Sequence, residues 1–75
     1  LSQWQQSINS YLNENSIIIE ELLKLDEKWL LTYKKVTKEN APFEVTKLVS
    51  EPRATIKSLI RKLNEQNNHF LGLET

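Results

Sequence analysis

Counted in steps of three and four from Leu1, the chain meets Trp4, Ile8, Tyr11, Asn15, Ile18, Leu22, Leu25, Trp29, Thr32 and Val36. Only Asn15 and Thr32 interrupt this apolar ladder. Side chains three and four apart stack along one face of an α-helix, so the ladder marks one broad side of a helix. A second row, Leu12, Ile19, Leu23 and Leu30, runs beside it. The pattern predicts a long amphipathic first helix over about residues 2–39. At about 1.5 Å per residue such a helix is ~55 Å long.

Asn13-Glu14-Asn15-Ser16 carries a competing signal, because Asn and Ser cap helices and Glu20 and Glu21 suit an early turn. A break at 13–16 gives two helices and lets residues 1–13 fold back. The ladder passes through Asn15 without losing register, which favours one continuous helix. Asn15 itself reads either as that cap or as a polar rung that fixes register by pairing with its counterpart in another copy.

Lys38-Glu39-Asn40-Ala41-Pro42 ends the first helix, since the residue before a proline is pushed out of helical geometry. Residues 43–49 predict a short helix with Phe43, Val45, Leu48 and Val49 apolar. Ser50-Glu51-Pro52 reads as a fresh start: a cap, an acid and a first-turn proline. The last helix then spans 51–71, with Ile56, Leu59, Ile60, Leu63 and Phe70 on its apolar side and Gly72 as the terminating residue. The expected fold is all-α, a helical hairpin or small three- to four-helix bundle.

The first helix has more apolar surface than one partner needs. Ile18, Ile19, Leu22, Leu23, Leu25, Trp29, Leu30, Tyr33 and Val36 cover roughly 160° of its circumference. Two packed helices share one seam, and a last helix of ~30 Å leaves the Leu1–Tyr11 end overhanging. Either another chain covers the surplus or residues 1–13 fold back upon it.

Composition sharpens that choice. A chain of 75 residues is one domain with a thin core, and small domains often rely on disulfides, metals or association. There is no cysteine and only one histidine, His69, which leaves association as the compensating device and no expected cofactor or metal. Ten basic and ten acidic residues give zero net charge, unlike a dedicated nucleic-acid domain. No apolar run approaches a membrane span. The uncharged start and absent methionine suggest a segment of a longer intracellular protein.

Catalysis finds no residues to carry it. His69 has no acidic neighbour to orient it, and Asp26 and Glu27 point about 100° apart. Charge is nonetheless uneven: residues 14–28 sum to −3 and residues 34–62 to +5. Arg53, Lys57, Arg61 and Lys62 form a possible basic strip on the last helix.

The functional expectation is a non-enzymatic interaction or self-association module. Leu1, Trp4, Ile8, Tyr11, Asn15, Ile18, Leu22, Leu25 and Trp29 are its interface, and its partner is a second copy or another helical protein. The alternative is a monomeric adaptor whose basic strip touches nucleic acid, an acidic partner or a membrane surface.

Overall fold

The computed structural model describes residues 2–73. Helix α1 spans Gln3–Lys38 and helix α2 spans Phe43–Leu73. They lie side by side as an antiparallel hairpin measuring 57 × 15 × 14 Å.

Ser2 starts α1 with a reciprocal cap. Its hydroxyl accepts from the Gln5 backbone N–H at 3.4 Å, and the Gln5 side-chain oxygen accepts from the Ser2 N–H at 3.0 Å. Each bond satisfies a donor that the first helical turn leaves without a partner. The helix then runs unbroken through 13–16, so residues 2–13 do not fold back as a separate helix. Ser16 turns its hydroxyl to the Leu12 carbonyl at 3.2 Å instead of opening a new helix.

α1 ends where Asn40 takes a left-handed φ of 60°. The Ala41 N–H bonds the Val36 carbonyl at 3.0 Å and the Asn40 N–H bonds the Thr37 carbonyl at 3.1 Å. These two bonds tie off carbonyls that the last helical turn cannot use, and Asn tolerates the left-handed position better than most residues. Pro42 follows, its carbonyl accepting from Val45 and Thr46 to open α2.

The expected short helix at 43–49 and separate helix at 51–71 are one element, with Pro52 inside it. Seam residues Val49, Arg53 and Ile56 lie on both sides of the proline, and the helix continues past its missing hydrogen bond. Gly72 likewise lies within α2 and does not terminate it. The described residues therefore form two helices, and a three- to four-helix bundle is not reached within them.

One seam holds the hairpin. On α1 it consists of Ile8, Leu12, Asn15, Ile19, Leu22, Asp26, Trp29, Tyr33 and Val36, spaced alternately by four and three. On α2 the matching positions are Thr46, Val49, Arg53, Ile56, Ile60, Leu63, Asn67 and Phe70. Most are only half-buried. Ile56 at 5% exposure and Asn15 at 2% are the buried ones among the described residues. Two helices cannot enclose more, because each presents one stripe to a single neighbour.

Candidate interaction surface

Every second rung of the sequence ladder is used by the hairpin itself. Ile8, Asn15, Leu22 and Trp29 lie in the seam, facing α2. Trp4, Tyr11, Ile18 and Leu25 lie one row aside and stay between 38% and 64% exposed. The seam takes its other half from Leu12, Ile19, Asp26 and Tyr33. Leu1 lies outside the described residues.

Polar contacts fix which parts of the helices meet. The Asn15 side-chain amide (Nδ2) donates to the Asn67 side-chain oxygen (Oδ1) at 3.1 Å. Asn15 is thus neither a helix cap nor a rung awaiting its own counterpart, because Asn67 of the same chain answers it. Tyr11 donates its hydroxyl to the Gln66 side chain at 2.5 Å and meets the Phe70 ring edge-on, with centroids 6.0 Å apart.

Farther along, Arg53 grips Asp26 with two parallel bonds, Nε to Oδ1 at 3.0 Å and a terminal nitrogen to Oδ2 at 3.3 Å. Their side chains are 20% and 17% exposed. A forked guanidinium–carboxylate pair constrains geometry as well as charge. Sequence reasoning passed over this pair. Its available signal was one acid and one arginine at seam-spaced positions, Asp26 between Leu22 and Trp29 and Arg53 between Val49 and Ile56.

Of the four residues of the expected basic strip, Arg53 is drawn into the seam by Asp26. Lys57 and Arg61 stay exposed on one side of α2, and Lys62 lies about 100° beyond Arg61 towards the other.

The Tyr11–Gln66 bond also shows which rows share a flank of the hairpin. α1 contributes Trp4, Tyr11, Ile18, Leu25 and Thr32, and α2 contributes Val45, Pro52, Leu59 and Gln66. None of these nine side chains is charged. Leu59, expected on the buried side of the last helix, is 42% exposed here.

The opposite flank is mixed. Leu23, Leu30, Phe43 and Leu71 alternate there with Asn9, Ser16, Lys57 and Asn64. A shallow groove on it is lined by Asn9, Leu12, Asn13, Ser16, Asn67 and Leu71.

The described part of α2 is longer than the sequence suggested, so the overhang shrinks. Taking the Asn15–Asn67 register, Leu73 reaches the level of Asn9, leaving Trp4 beyond it. No described helix is long and apolar enough to cross a membrane. Comparison of the chain with protein-family models, curated proteins and solved structures returns no match.

Proposed function

We propose that the chain is a non-enzymatic protein–protein interaction and self-association module of a larger intracellular protein. In this reading it is a coiled-coil-like hairpin that docks its uncharged flank on another helix pair, completing a four-helix bundle. The observation that carries the reading is the Tyr11–Leu25 row with Leu59 across from it. Positions beside a two-helix seam ordinarily hold Glu, Lys or Arg when they face water. Here they hold aromatic and aliphatic side chains, and a continuous exposed patch of that kind marks an association surface.

The thin seam supports the same reading. A chain this short buries too little apolar surface to be stable by a wide margin, and burial against a second helix pair supplies more. The adaptor alternative draws less support, because Arg53 is committed to Asp26 and the remaining cations diverge.

Molar mass by light scattering over about a hundredfold concentration range tests the proposal. The expected result is two or more chains at high concentration, falling toward 8.8 kDa on dilution. Ile18→Glu with Leu25→Glu should abolish the larger species while leaving the helical signal intact, since both side chains are already exposed in the hairpin. A mass fixed at one chain throughout would rule out self-association.

A further inference from the structure

We infer that the second helix pair is another copy of this chain, docked so that α1 lies antiparallel to the second copy's α1 about a twofold axis at Leu25. The inference rests on the self-association reading and adds direction and register to it.

Charge on the outer edge of the uncharged flank carries the argument. Beside the Trp4–Thr32 row, α1 bears Glu14, Glu21, Lys28 and Lys35 at sevenfold spacing, two acids followed by two bases. All four are exposed, and among the described residues none takes part in an ion pair. Read backwards, the row complements itself. An antiparallel copy brings Glu14 to the second copy's Lys35 and Glu21 to the second copy's Lys28, and the twofold axis repeats each pair.

The same axis places Leu25 on the second copy's Leu25 and Ile18 level with its Thr32. By the Asn15–Asn67 register, the level of Leu25 falls on α2 between Pro52 and Leu59, both on the uncharged flank. α2 therefore also meets its own copy without burying a charge.

The opposite sense of docking lays α1 along the second copy's α2. It matches Glu21 with Lys62 but sets Lys28 and Lys35 against Thr55 and Leu48. Charge favours the antiparallel form. In that form Trp4 projects past the second copy's turn, so Trp4→Ala leaves the dimer intact.

Disulfide trapping tests the geometry, because the chain has no cysteine of its own. Under mild oxidation Leu25→Cys should give a covalent dimer, whereas Leu31→Cys, exposed on the outer side of α1, should not. Reversing only the acids, Glu14→Lys with Glu21→Lys, should weaken the dimer about tenfold at low salt. Adding Lys28→Glu and Lys35→Glu should restore it, since the exchanged row is again self-complementary. A dimeric mass without the Leu25 cross-link, or no restoration by the fourfold exchange, overturns the antiparallel arrangement and leaves self-association standing. A monomeric mass at every concentration overturns both.

Discussion

Asn15 and Asn67 meet across the seam through one amide–amide hydrogen bond of 3.1 Å, in the most enclosed part of the hairpin. A slip of one helical turn would set each amide against Leu or Ile rows and leave it unpaired. An unpaired buried amide costs about 1–3 kcal/mol, whereas a paired one is nearly neutral. The pair thus contributes to specificity more than to stability, selecting one alignment of two otherwise repetitive rows.

Asn15→Leu alone should accordingly destabilise the hairpin by about 1–2 kcal/mol, because Asn67 is left facing a methyl group. Asn15→Leu combined with Asn67→Leu should recover that loss or exceed wild type. Thermal unfolding of the two single variants and the double variant closes the cycle. Additive losses in the double variant would show that the two amides do not act as a pair.

Asp26 and Arg53 carry a second alignment signal one face-length away. Asp26→Ala should cost about 1–3 kcal/mol, since it strands a guanidinium in a partly buried position. Replacing both by Leu should be neutral or stabilising, because the desolvation of two charges is removed together. Chemical denaturation measures both. With both amide and ion pairs replaced by Leu, the helices should slip, and cross-linking of cysteines placed along α1 and α2 should no longer give a single register.

Much of this architecture is legible in the residues, and the misreadings share one cause. The all-α hairpin and the turn at Asn40–Pro42 follow from local signals: 3-4 periodicity, a left-handed-tolerant Asn and a proline behind it. The precise seam did not follow. A count that maximises apolar rungs prefers Leu25 to Asp26 and Ile18 to Ile19, so it rotates the buried stripe by one residue. Asp26 is acceptable in the seam only because Arg53 faces it from 27 positions away, and no local pattern carries that fact. The rotation leaves Trp4, Tyr11, Ile18 and Leu25 as an exposed row beside the seam, and the proposed association uses its Tyr11–Leu25 part.

The two tryptophans separate folding from surface. Trp29 is a half-buried seam residue, and Trp29→Ala should cost about 2–4 kcal/mol, toward the lower part of the range for large-to-small changes because the site is not fully enclosed. Trp4 is 64% exposed beyond the described end of α2, and Trp4→Ala should alter stability by no more than about 0.5 kcal/mol. Unfolding curves at one dilute concentration compare them directly. Equal losses would mean that the first turns of α1 are buried in the hairpin as firmly as its middle.

Pro52 is where local preference and packing disagree most. It removes the N–H that would bond the Leu48 carbonyl and crowds that carbonyl with its ring, at a cost of about 3 kcal/mol in a helix interior. Against this stand Val49, Arg53 and Ile56, which continue the seam across it. Ser50 also sends its hydroxyl to the Lys47 carbonyl at 2.8 Å in the turn just ahead. Pro52→Ala restores the missing bond but frees the unfolded chain, which offsets about 0.4–1 kcal/mol of the gain. The net expectation is a hairpin more stable by about 1–2 kcal/mol, with amide exchange slowed around Leu48–Ile56. An unchanged or lowered melting temperature would show that α2 is bent at Pro52 and that the seam depends on the bend.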